Sequence, residues 1–156
     1  HCFGVVLLTY LIADKIVSSK IDKGRAVELA IVHELGECRV GDIPFTALKF
    51  FPDKSVAEQQ AVAEITEELG ETGKRCLSLF REFEEGSTVD ARFVRAIDKL
   101  EMLLTAFEYR KAGFTGLKDF WNNEMTFETL REFPEIFDFA RNLREQNNRA
   151  TVSEGE

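Results

Sequence analysis

The sequence predicts an all-α domain, a compact array of about six or more helices. Three observations carry this. Apolar residues recur at helical spacing along most of the chain. No segment alternates with a period of two over a useful length. Gly, Pro and Asp cluster between the apolar segments, where helices would stop and start.

The first helix is expected over residues 2–19. Phe3, Val5, Val6, Leu7, Leu8, Leu11, Ile12 and Ile16 make a broad apolar stripe, which predicts deep burial. Asp22, Lys23 and Gly24 form a break. A second helix over residues 25–38 carries Ala26, Val27, Leu29, Ala30, Ile31, Val32 and Leu35. Gly41, Asp42, Ile43 and Pro44 end it in a loop. Pro52 and Asp53 open a third helix toward Leu69, with Asp53 as N-cap. Gly70 and Gly73 punctuate the chain. The next helix, with Leu77, Leu79, Phe80 and Phe83, stops at Gly86. Ser87 or Thr88 caps the longest helix, over residues 89–111, and Gly113 ends it. Short helices follow around residues 117–121 and 127–133, then a last one over residues 134–144. Residues 1–145 read as one domain and residues 146–156 as a polar, frayed tail.

A chain of 156 residues suits one domain, and 44% hydrophobic residues suffice for a packed core. The formal net charge is −8, which repels a nucleic-acid polymer. A small phosphate ester remains compatible, because a bound dication inverts the local potential. No apolar run reaches the roughly 18 residues of a membrane span. There is no signal-peptide pattern. Cys2, Cys38 and Cys76 are widely spaced and form no C-x-x-C, which fits a reducing, cytoplasmic setting. Cys38 reads as packing rather than as a nucleophile. The chain opens at His1, already inside a helix, so further residues are expected upstream.

The chemistry concentrates around His33-Glu34-Leu35-Gly36-Glu37. On a helix, His33 and Glu37 share a face, and Glu34 and Glu37 share an edge. Either the two carboxylates face solvent and His33 is a satisfied core residue, or the three converge on a bound partner. The block approaches the zincin H-E-x-x-H, but Glu37 stands where the second His is required. Asp98 lies beside the apolar stripe of the long helix. There it is either an ion-pair partner of Arg95 or Lys99, or a metal ligand delivered from a separate helix.

Taken together, His1…His33-Glu34…Asp98 resembles the H…HD…D metal-binding pattern of the HD-domain phosphohydrolases. The block from His33 through Glu37, Arg39, Gly41 and Asp42 to Pro44 resembles the H-D-x-x-E-x-x-x-G-D-[IL]-P block of their 5′-deoxynucleotidase-like branch. That branch includes the oxetanocin-like proteins. Residues 91–101 resemble the branch's second signature. The resemblance implies an HD-domain fold with His1, His33, Glu34 and Asp98 as metal ligands and Glu37 as the catalytic carboxylate. It places Asp42 near a sugar. Such a ligand set suits one divalent ion, Mn, Co, Ni, Zn, Fe or Mg. Arg39, Lys49 and Lys54 are candidates for phosphate contact, and Glu58 for a place facing the pocket. The implied function is removal of phosphate from nucleotides, deoxynucleoside 5′-monophosphates first. The alternatives are a nucleotide pyrophosphohydrolase or phosphodiesterase, and a non-catalytic metal- or nucleotide-binding protein. Relatives suggest a homodimer, to which part of the aromatic run Phe114, Phe120, Trp121, Phe127, Phe133, Phe137 and Phe139 would contribute. Two departures stand out. The doublet is His33-Glu34, one methylene longer than His-Asp. The upstream segment that bears an Arg-Trp pair in bacterial deoxynucleotidases is absent from this sequence.

Overall fold

Helix α6 (Val89–Lys111) is the axis of the structure. Thr88 caps it by accepting a hydrogen bond from the Ala91 N–H at 3.1 Å, and Arg110 and Lys111 complement the dipole at its other end. Phe93, Val94, Ile97, Leu100 and Leu103 are fully or almost fully buried along it. Its limits agree with those read from the periodicity. The computed structural model describes residues 1–153, and side chains through residue 149. Among them there are nine α-helices and no strand.

Helices α1 (Cys2–Ile12), α2 (Lys23–Val32) and α5 (Gly70–Glu85) pack on α6 and on one another, α2 against both of the others. Helices α7 (Lys118–Asn122), α8 (Glu124–Leu130) and α9 (Pro134–Ser153) pack on it from later in the chain. Helix α4 (Lys54–Thr66) lies outside, against α5 and the short α3 (Glu37–Val40).

Several expectations need correction. The first helix does not run to residue 19. It ends at Ile12 in a 3₁₀ turn (Ala13–Lys15), and Ile16 is extended. Nor is it deeply buried. Val5 and Thr9 face α2 and α6, while Phe3, Leu7, Tyr10 and Leu11 remain exposed, Phe3 at 77%. An apolar stripe reports which side chains avoid water, not whether a neighbour covers each of them. The second helix stops at Val32. Residues 33–36 form a tight turn, closed by Leu35 N–H to the Val32 carbonyl (3.0 Å) and Glu37 N–H to the Glu34 carbonyl (3.1 Å). Such three-residue closures keep right-handed backbone angles, so apolar spacing does not separate them from an α-helix. Asp53 occupies the N-cap position of α4, but its carboxylate accepts no capping hydrogen bond. Helix α9 passes residue 144. The part of the expected tail over residues 146–153 is helical, because buried Asn147 accepts a hydrogen bond from Arg110 of α6 at 2.9 Å. Residues 154–156 of that expected tail lie outside the described residues. Of the aromatic run, Trp121, Phe127 and Phe133 fill the core, and Phe114, Phe120 and Phe139 are exposed.

Gly73 does not punctuate. It lies inside α5, buried where that helix crosses the end of α4. A Cβ there would sit 2.0 Å from the Thr66 carbonyl oxygen. Backbone cannot rotate away as a side chain can. Gly73→Ala is therefore expected to cost about 2–3 kcal/mol and to lower Tm by roughly 4–10 °C. An unchanged thermal unfolding curve would show that α4 and α5 do not meet this closely. No helix among the described residues is long and apolar enough to cross a membrane.

Candidate metal centre

The tight turn after α2 decides how the site is built. His33 closes the helix and points inward, with its residue 5% exposed. Its Nδ1–H donates to the Ala30 carbonyl at 2.7 Å. That fixes the tautomer and leaves Nε2 with a free lone pair. Nε2 is buried and has no hydrogen-bond partner. A buried polar atom without a partner asks for an explanation, and a cation would supply one. Phe83 packs edge-on against the ring, with centroids 5.5 Å apart, and holds its plane.

Around Nε2 stand His1 at the start of α1, Glu34 in the turn and Asp98 on α6. Each offers one ligand atom, and these four atoms lie within 4.8 Å of one another. Three separate elements thus deliver two imidazoles and two carboxylates to one point, a donor set suited to a first-row divalent ion. The residues fit the group that the sequence implies. The ion-pair reading of Asp98 holds for Lys99, and the same carboxylate stands in the candidate ligand cluster. One oxygen pairs with Lys99 at 2.9 Å, and the other approaches His1 Nε2 at 3.0 Å. Arg95 turns instead to the Glu84 carbonyl.

The charges match this crowding. The hydrogen bond to Asp98, helped by Glu101 and opposed by burial, raises His1 to about 9. Burial pushes the Asp98 carboxyl up, but hydrogen bonds from His1 and Lys99 and their charge hold it at about 2. Burial lowers His33, so its imidazole is neutral and ready to act as a ligand. Burial, then the hydrogen bond and charge of Glu37, push the Glu34 carboxyl up to about 7. Glu37 goes the other way. Burial opposes ionisation, yet a hydrogen bond from the Glu34 carboxyl and one from Lys54 keep it below the ordinary carboxylate range. Glu37 is thus an ionised carboxylate beside the ligand set and outside it.

Of the residues proposed for substrate, Lys54 and Glu58 gather at Glu37. Lys54 Nζ lies 3.0 Å from Glu37 Oε1 and 2.7 Å from Glu58 Oε1. Arg39 and Asp42 are exposed on α3 and the loop after it, and no described residue forms an ion pair with either. Lys49 is exposed and lies over the Phe50 ring. Two clefts lie elsewhere. One of ≈ 500 Å³ runs between Arg110, Phe114 and Trp121, and one of ≈ 450 Å³ lies beside Lys74 and Arg81. Neither brings together a ligand set like that around His33.

Sequence reasoning missed Glu101. Its Oε2 accepts a hydrogen bond from His1 Nδ1–H at 2.5 Å, and Thr105 Oγ1 donates to its other oxygen at 3.0 Å. Gly4 makes room for it: a Cβ on Gly4 would lie 2.6 Å from Glu101 Oε1. The available signal was a carboxylate one turn from Asp98 on the same helix face. By holding Nδ1, Glu101 turns Nε2 toward Asp98 and Glu34. Glu101→Gln is expected to weaken metal binding by about 10–100-fold, measured by competition with a chelator. Unchanged affinity would mean that His1 is oriented by something else.

The family model described as HD domain matches residues 1–136. A 5′-deoxynucleotidase HDDC2 of Dictyostelium discoideum is 41% identical over 93 residues, which are 59% of this chain and 49% of that protein. The chain therefore spans about half the length of that relative. The human 5′-deoxynucleotidase HDDC2 is 33% identical over 164 residues, with 99% of this chain and 75% of that protein covered. Among solved structures, a conserved hypothetical protein from Pyrococcus furiosus superposes with a TM-score of 0.73 at 32% identity. That match covers 96% of this chain and 81% of that one.

Proposed function

The chain belongs to the HD domain family, and from that premise we propose that it is a metal-dependent phosphohydrolase acting on nucleotides. Deoxynucleoside 5′-monophosphates are the substrates we favour, on the names of its relatives. The observation that carries the reading is the buried, partnerless Nε2 of His33, with three further ligand atoms around it and Glu37 alongside.

In this reading His1, His33, Glu34 and Asp98 hold one divalent ion. When bound, such an ion supplies neutralising charge for phosphate and a water of lowered pKa. The remaining work falls to the chain. Glu37, ionised and one turn from His33, accepts a proton from the attacking water and returns it to the leaving oxygen. Burial keeps His33 neutral, and its bond to the Ala30 carbonyl occupies Nδ1 and leaves Nε2 free. Asp42 and Arg39, exposed after the turn, are the proposed contacts to sugar and phosphate. Glu34 reaches the cluster despite its extra methylene, at 3.7 Å from His33 Nε2 and 3.9 Å from His1 Nε2. That supports an intact site over a decayed one.

The test is a product assay on full-length protein loaded in turn with Mn, Co and Zn. Inorganic phosphate from deoxynucleoside monophosphates is the expected product. Pyrophosphate from triphosphates would favour the pyrophosphohydrolase alternative, and no turnover of any nucleotide would favour the binding protein. We further propose a homodimer, because Phe3, Leu7 and Leu11 leave an apolar face of α1 open. A monomeric mass by light scattering would remove that reading. A cytoplasmic setting is proposed from the three unpaired cysteines.

A further inference from the structure

Two side chains next to Glu37 run against the stability of the fold. Lys54 is the first residue of α4, where the positive end of the helix dipole disfavours a cation. Glu58, one turn on, is 4% exposed, and a carboxylate so buried is unfavourable unless paired. The chain nevertheless makes a place for it. A Cβ on Gly36 would lie 2.7 Å from the Glu58 Cβ, so the glycine in the tight turn lets α4 press Glu58 against the residues between Glu34 and Glu37. Residues that break local rules beside a reactive group are where function is expected.

Their contacts say what they do. Lys54 donates a hydrogen bond to Glu37 Oε1 at 3.0 Å, and its ammonium lies 2.7 Å from buried Glu58 Oε1 as an ion pair without hydrogen-bond alignment. The Glu58 side chain is 5% exposed and the Lys54 side chain 22%, so the pair is fixed from the buried end outward. We infer that Glu58 and Lys54 form a positioning relay: Glu58, clamped between α4 and the turn, holds the Lys54 ammonium, which holds the Glu37 carboxylate beside the ligand set. This rests on the phosphohydrolase reading. It replaces the sequence expectation that Lys54 and Glu58 touch substrate. Without Lys54, Glu37 would face the ligand carboxylates with no cation to steady it and would swing toward solvent.

The test compares Lys54→Met, Lys54→Arg and Glu58→Gln in the full-length, metal-loaded protein. Displacement of a reacting group by about 1 Å loses on the order of 100-fold. Lys54→Met is therefore expected to lower kcat by about 10–100-fold, with KM within about threefold and metal content unchanged. Lys54→Arg keeps the charge and is expected to restore most of kcat, and Glu58→Gln to show a smaller loss of the same kind. A crystal structure of Lys54→Met should show the Glu37 carboxylate turned away from Glu34. A raised KM at unchanged kcat would make Lys54 a substrate contact and overturn the relay. So would a Glu37 that stays in place in that crystal structure. If the natural protein turns over no nucleotide, the activity reading fails, and the crystallographic arm still decides the relay.

Discussion

Glu37→Gln is expected to abolish phosphate release while the metal stays bound. The substitution keeps size and shape and removes only the capacity to take up a proton. General acid–base groups contribute about 10²–10⁴-fold, and a loss in that range from kcat is predicted. The structure separates Glu37 from the ligands in two ways. It is not one of the four residues whose ligand atoms converge. Its carboxylate is also engaged by Lys54. Metal content by elemental analysis is thus the deciding companion measurement. Lost metal would make Glu37 a ligand. Retained turnover would mean that the proton moves through another group.

Acidification is expected to expel the metal. In the metal-free protein His1 holds a proton up to about 9, because Asp98 and Glu101 flank it. A metal ion competes with that proton for Nε2, so affinity rises with pH up to about 9 and is flat above it. The fall is tenfold for each unit below. Between pH 8 and pH 6 His1 alone then loses on the order of a hundredfold. Glu34, whose carboxyl stands at about 7, steepens the loss in the lower half of that window. The sign is that of a group with a raised folded pKa. The His1 pairing stabilises the metal-free protein fully below its ordinary 6.5, and that contribution disappears as pH rises through about 9. Stability without metal and affinity for metal should therefore run in opposite directions with pH. Isothermal titration across this range would check it, with proton release measured in buffers of different ionisation enthalpy. An affinity independent of pH would show that His1 is not a ligand. His1→Gln should bind more weakly and flatten the dependence.

Much of the site was legible before folding. Two histidines in 156 residues leave few choices for imidazole ligands, and His33-Glu34 and Asp98 stand out as polar groups in apolar surroundings. The limits of α6 were legible for the same reason: Thr88 and Gly113 are chemical signals local to its ends. The α2–α3 turn was not, since its angles barely differ from helical ones. Yet that turn is what brings Glu34 and Glu37 within hydrogen-bonding reach of each other.

What the sequence determined by itself is therefore the helical class and the main helix, which follow from local propensity and burial period; the candidate ligand set came from the resemblance of its motifs to a family pattern. Only the tertiary structure decided how that set is supported. Glu101 meets His1 across a separation of 100 residues, and Lys54 meets Glu37 across 17. It also decided that α1, apolar on nearly every side, is covered on only one of them. Periodicity records which side chains avoid water along one helix. It does not record which carboxylate, ammonium or imidazole on another helix waits across the gap, and at this centre those distant pairings aim the imidazole and hold the carboxylate.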